Sequence, residues 1–150
     1  AWGLRNPFRT PHDPNAAGTR FFINDVGQGT WEEIEAAAEG LADVVRSAAR
    51  PPLLVISSDM NHFAPDEENR RLDRMALDAL ASGDPQRLLE TCREHQISMC
   101  GVIPAALVMA TLHKLGHEFR VKEIAYTTSG ETGGDRSRVV GYAGTLFLAE

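Results

Sequence analysis

Apolar residues recur at helical spacing along much of the chain and condense into short continuous runs at a few places. From Trp31 onward, Ile34, Ala38, Leu41, Val45 and Ala48 fall on one stripe, the spacing of an amphipathic helix. Thr30, with Glu33 three residues later, makes a capping box at its start, and Pro51 and Pro52 close it. Residues 53–57 (LLVIS) are a continuous apolar run too short for a helix, which predicts a strand buried on both faces. A second helix is predicted over 66–81, with Leu72, Met75, Ala76, Ala79 and Leu80 toward the core. Asp84 and Pro85 supply an N-cap and a first-turn proline for a third helix carrying Leu88, Leu89 and Cys92. Residues 102–115 are apolar almost all round, so a fourth helix there should be largely buried, with Gly116 as its stop.

Strands are predicted near 20–26 (RFFINDV), 119–127 and 139–148, the last two joined by the glycine-rich loop TSGETGGDR. Residues 1–19 are rich in Pro, Asn, Gly and Arg without any period and read as an irregular N-terminal arm, leaving 20–150 as the folded domain. No internal repeat or linker divides it. The fold class that follows is α/β, a mixed sheet with helices packed on it. Helix-covered crossovers favour parallel pairing early in the chain, and the short last connection favours an antiparallel pair.

Composition narrows the function. The chain has 150 residues, 43% hydrophobic and 24% charged, which suits one folded domain and argues against disorder. A net charge of −6 speaks against nucleic-acid binding, which needs clustered Lys and Arg. Arg70, Arg71 and Arg74 do cluster, but Asp66, Glu67 and Glu68 precede them, the order that suits the dipole of a solvated helix. The longest strongly apolar stretch, 102–112, is about half of the ~20 residues that span a bilayer, so no membrane partner is expected. Two cysteines, Cys92 and Cys100, make no disulfide framework and point to a reducing, cytoplasmic setting. No charged-then-apolar leader opens the chain, and its first residue, Ala1, fits a processed or partial polypeptide.

The candidate chemistry lies at two places. The segment SSDMNHF starts where the 53–57 strand should end, the edge of an α/β sheet where ligands bind. It crowds Ser57, Ser58, Asp59, Asn61 and His62 into six positions. Asp59, three residues before His62, is placed to fix its tautomer or share a proton with it; the plainer reading has Ser58 and Asp59 capping a turn beside a partly exposed His62. Cys100, in ISMCGVIP, precedes the buried fourth helix. There the helix dipole favours thiolate, a metal ligand and a nucleophile, and Gly101 permits close backbone approach. The plainer reading is an inert thiol, which suits Cys92 in its apolar stripe. The TSGETGGDR loop lacks the GK[ST] ending of a P-loop and reads as a hairpin loop, with Glu131 and Asp135 unplaced. His113 and His117 are four apart but read as solvated helix-end residues, and neither His12 nor His95 stands out.

Taken in order, LLVISSDMNHF, ISMCGVIPAAL and AYTTSGETGGDRSRVVGYAGTLF resemble the C-terminal half of Memo-like proteins, called AmmeMemoRadiSam system protein B in bacteria and archaea. That family is similar in fold to class III extradiol dioxygenases, which open catechol rings with non-haem iron. The resemblance implies that Cys100 takes the third metal-ligand place. It implies that His62 faces the substrate as acid or base and that Asp59 is its neighbouring acid. The two remaining metal-site histidines belong to the family's N-terminal half, so the site is incomplete in these 150 residues. Thiolate in place of the dioxygenase carboxylate makes the site softer, which favours copper or zinc alongside iron.

The function expected is therefore a Cys/His/Asp contribution to a metal-dependent or redox active site, an oxidoreductase of unknown reaction. The ligand is expected to be a small molecule or peptide, and the chain to form a homo-oligomer or join its missing half. Two alternatives stay open: a non-catalytic module binding a peptide or small ligand in the same cleft, and a Cys–His hydrolase with Cys100 as nucleophile and His62 as base.

Overall fold

The computed structural model describes residues 31–149. The arm at 1–19, the strand expected at 20–26 and the Thr30 cap lie outside the described residues. In chain order the elements are α1 (Trp31–Ser47), β1 (His62–Ala64), α2 (Asp66–Ala81), α3 (Pro85–Glu94), α4 (Val102–Lys114), β2 (Phe119–Thr128), a short 3-10 turn (Ser129–Thr132) and β3 (Val139–Ala149). The three strands form one antiparallel sheet in the order β1-β3-β2. Four helices pack with it, an α/β architecture as the periodicity predicts.

Helix boundaries follow from local chemistry. α2 begins with Asp66, Glu67 and Glu68 in its first turn, where negative charge meets the positive end of the dipole. α3 begins as predicted: Asp84 Oδ1 accepts from the backbone N–H groups of Gln86 (2.9 Å) and Arg87 (3.2 Å), and Pro85 fills the first turn. The arginines of α2 are structural. Arg71 pairs with Glu68 on the same helix, and Arg74 makes two bonds to Glu123 of β2.

α4 explains its own composition. On one side Ala106, Leu107 and Ala110 meet Ile34 and Ala38 of α1. On the other, Ala105 and Met109 join Leu72, Ala76, Leu77, Leu80, Leu88 and Cys92 of α2 and α3 in the main core. A helix enclosed from two sides has no polar face to spare. Leu88 and Met109 are wholly enclosed, each contributing on the order of 1.5–3 kcal/mol by leaving water.

One expected strand is absent. Residues 53–57 are not a strand buried on both faces: they belong to no sheet, and Leu53 is 86% and Val55 57% exposed. Leu54 and Ile56 are half-buried, so the segment is extended with one side against the protein and one side bare. Continuous apolar character encodes a strand with neighbours on both sides, and no neighbouring strand occurs here among the described residues. Every pairing among the described residues is antiparallel, and the parallel pairing expected early in the chain involves 20–26, outside the described residues.

The long hairpin loop is held to α2. Arg70 bonds Asp66, Thr128 and Glu131, and Thr127 Oγ1 donates to Glu131 at 2.7 Å. The bond from Thr127, with help from Arg70, keeps the Glu131 carboxyl below its usual range. Asp135 is taken up by the Ser137 backbone and hydroxyl at 2.8 and 2.7 Å. Both acids left unplaced by the sequence are thus engaged in fixing the loop.

Candidate functional site

Asp59, His62 and Cys100 meet in space although 41 positions separate the first from the last. One ligating atom from each lies within 4.8 Å of the other two. His62 Nε2 is 3.5 Å from Asp59 Oδ2. Cys100 is exposed and Asp59 about half exposed, so the cluster opens to solvent.

Two backbone features bring the segments together. Gly101 lies against residue 58, where a Cβ would stand 2.4 Å from Ser58 Cβ, so no side chain fits at 101 without displacing the Ser58 segment. Across this contact Gly101 N–H donates to Ser58 Oγ at 2.8 Å, and Asp59 N–H donates to Cys100 Sγ at 3.2 Å. The cysteine sulfur therefore accepts from the SSDMNHF segment rather than capping α4, and the serine hydroxyl takes the N–H of Gly101 instead. The second feature is β1. His62 pairs with Val140 and Ala64 with Val139, leaving Phe63 as a bulged residue at φ 66°, a conformation that aromatic residues rarely adopt. Arg138 covers the exposed Phe63 ring, its guanidinium 4.7 Å from the centroid.

Behind His62 lies a buried polar network. Asn61, Asn69 and Asp73 are buried, Asn69 and Asp73 completely. Asp73 accepts from Asn61 N–H (2.6 Å), Asn69 Nδ2 (2.9 Å) and Tyr126 OH (2.7 Å). Burial pushes the Asp73 carboxyl up despite these donors, and burial with the adjacent carboxylate pushes the Tyr126 phenol up as well. Asn61 Nδ2 donates to Asn69 Oδ1 at 2.8 Å, and Asn61 Oδ1 accepts from Ser98 N–H and Ser98 Oγ at 3.0 and 3.1 Å. Ser98 Oγ in turn meets His62 N at 2.8 Å and His62 Nδ1 at 3.3 Å.

Of these, sequence reasoning named Asn61 but missed Ser98, Asn69, Asp73 and Tyr126. A signal existed for two of them. Asn69 and Asp73 sit three residues before Leu72 and Ala76, on the apolar stripe of α2, where polar residues are rare unless satisfied. Among the described residues no other histidine joins the cluster, and His113 Nε2 is 2.8 Å from Gly83 O, at the far end of α4 from Cys100.

The three ligating types fit a metal ion by chemistry. Thiolate, imidazole and carboxylate together suit zinc, copper or iron. Ligand atoms about 2.0–2.3 Å from one ion stand roughly 3.3–3.8 Å apart; His62 and Asp59 stand 3.5 Å apart, and the Cys100 sulfur lies within 4.8 Å of both.

Comparison with known proteins identifies the family of the chain. The family model described as Memo-like protein matches residues 25–146. A MEMO1 family protein of Archaeoglobus fulgidus is 37% identical over 122 residues, covering 81% of this chain and 46% of the relative. One of Sulfolobus acidocaldarius is 34% identical over 118 residues, 79% of this chain and 41% of the relative. One of Aeropyrum pernix is 41% identical over 90 residues, 60% of this chain and 31% of the relative. The chain thus spans less than half the length of these curated relatives. With the matched region covering nearly the whole of the described fold and all three clustered residues, the chain belongs to the Memo-like family.

Proposed function

We propose that Asp59, His62 and Cys100 form one side of a metal-dependent or redox active site, related in fold to that of non-haem dioxygenases, whose remaining ligands come from outside the described residues. The observation that carries this reading is the convergence of a thiol, an imidazole and a carboxyl within 4.8 Å of one another. Cys100 is the metal ligand, His62 the acid or base toward substrate, and Asp59 the group that orients His62 or shares its proton. A bound iron, copper or zinc ion would supply Lewis-acid or one-electron chemistry. A reducing, cytoplasmic setting would keep Cys100 a free thiol.

The test is cobalt titration of the chain, read by thiolate-to-cobalt charge-transfer absorption. Wild-type protein should develop the band and Cys100→Ser should lose it. Loss of the thiolate is expected to lower affinity by at least about 100-fold, beyond the tenfold or more seen for outer-sphere partners. Equal cobalt affinity in Cys100→Ser and wild type would remove Cys100 as a ligand.

The same reading requires a partner for residues 53–57. Leu53 and Val55 present bare apolar side chains on an extended segment that belongs to no sheet, a template for strand addition. The chain is therefore expected to self-associate or to join the remainder of a Memo-like sheet, burying on the order of 1,000 Å² or more. Light scattering at micromolar concentration should give a mass above the 16.4 kDa of one chain. Leu53→Lys with Val55→Lys should return it to the monomer. A monomeric wild-type chain would refute this part of the reading.

A further inference from the structure

One assignment of protons makes every hydrogen bond between Asp73 and the inner side of His62. Ser98 N–H is a backbone donor, so the Asn61 side-chain atom 3.0 Å from it must be the carbonyl oxygen. That places Asn61 Nδ2 against Asn69, whose facing atom is then Oδ1, and turns Asn69 Nδ2 toward Asp73 Oδ2. The carboxyl end agrees independently, because Asp73 Oδ2 is an acceptor there. Asn61 Oδ1 has no proton to give, so the 3.1 Å contact with Ser98 Oγ is the serine hydroxyl donating. With its proton committed, Ser98 Oγ accepts twice from His62: from the backbone N–H at 2.8 Å and from the ring at Nδ1, 3.3 Å away.

We infer that a relay running from buried Asp73 through Asn69, Asn61 and Ser98 holds the His62 ring by its Nδ1–H and so turns Nε2 toward Asp59 and Cys100, which in the neutral ring makes Nδ1–H the populated tautomer. Ser98 and Asn61 are positioning residues: neither belongs to the cluster, and both act through His62. The consequence for the site, which rests on the reading proposed above, is the kind of ligand it takes. Nε2 and Asp59 Oδ2 become two acceptors 3.5 Å apart, with the Cys100 sulfur beside them. Facing acceptors repel unless something electron-poor lies between them. With the ring neutral, the site thus suits an electron-poor centre between the two acceptors, a divalent cation or the proton of a hydroxyl-bearing ligand.

Nitrogen-15 NMR of histidine-labelled chain, free of metal and at mildly alkaline pH, reads the tautomer directly from long-range proton–nitrogen correlations. His62 is expected to show a protonated Nδ1 and an unprotonated Nε2. Ser98→Ala removes an exposed hydroxyl and leaves the core untouched. It should shift His62 to a mixture or to the Nε2–H form, while Ser98→Thr, which keeps the hydroxyl, should restore the wild-type pattern. An Nε2–H ring in the wild type, or an unchanged tautomer in Ser98→Ala, overturns the relay. The outcome is separable from the metal reading. An Nδ1–H ring in a chain that binds no cobalt supports the relay and defeats the metal site, and cobalt bound by a chain with an Nε2–H ring does the reverse.

Discussion

Replacing Gly141 by alanine should cost at least about 3 kcal/mol of stability, at the upper end of overpacking penalties, because it strikes the anchor of the polar network rather than an adaptable apolar contact. A Cβ at this position would stand 1.8 Å from Asp73 Oδ2, 2.8 Å from its Cγ and 3.1 Å from Asn69 Nδ2. Something must move, and neither side is free to. Backing β3 away breaks the paired bonds Gly141 N–H to Asn61 O (3.0 Å) and Met60 N–H to Gly141 O (2.9 Å). Backing Asp73 away strips a buried carboxyl of donors from Asn61, Asn69 and Tyr126, leaving it desolvated without compensation. Urea denaturation followed by circular dichroism measures the loss. A midpoint within a few tenths of molar of wild type would mean that the network is looser than its distances indicate. Because Asp73 already resists ionisation in its buried place, acid should partly offset the defect. A group whose folded pKa is raised gains relative stability as pH falls toward and below that value.

Much of this protein is written in local pattern. α2 could be placed from its acidic first turn and α3 from the Asp84 cap and Pro85, because these features act within a few residues of themselves. α4 was recognisable as a buried helix because its apolar circumference has no other use, and the final hairpin because its connection is too short for a parallel crossover. Asp59, His62 and Cys100 could be singled out by composition and by resemblance to the Memo-like motifs. Their convergence depends on contacts that leave no periodic trace, such as the approach of Gly101 to Ser58. The bulge at Phe63 is equally silent, since an aromatic residue is a poor indicator of positive φ. The 53–57 run shows the opposite failure. Its apolar character demands neighbours on both faces, yet a demand does not supply them, and among the described residues the run stays unpaired. Asn69 and Asp73 were hidden in plain view: in DEENRRLDR they look like more of a solvated helix, and only their phase relative to Leu72 and Ala76 marks them as buried.

Cys100 should react with a small thiol reagent at least about 100-fold faster than Cys92 in the folded chain. Cys92 is 4% exposed, and burial pushes its thiol up to about 11. At pH 8 a thiol of that kind is ionised in roughly one molecule in a thousand, so slow access compounds a scarce nucleophile. Cys100 is exposed, with Asp59 N–H directed at its sulfur from 3.2 Å. Titration with a chromogenic disulfide should therefore show one fast equivalent, and a second only as denaturant opens the core. Mass mapping should place the first on Cys100, and equal sluggishness of both thiols would mean that Cys100 is protected by something other than its described neighbours. The same assay separates the metal reading from a Cys–His hydrolase. The hydrogen-bond partners of the Cys100 sulfur are Asp59 and Ser58, and none of its bonds runs to His62. His62→Ala should accordingly leave the labelling rate within about twofold of wild type, whereas a nucleophile activated by His62 would lose the 10²–10⁴-fold typical of a missing general base. Saturating zinc should slow labelling in wild type. Loss of reactivity in His62→Ala without any zinc effect would transfer the site to the hydrolase reading.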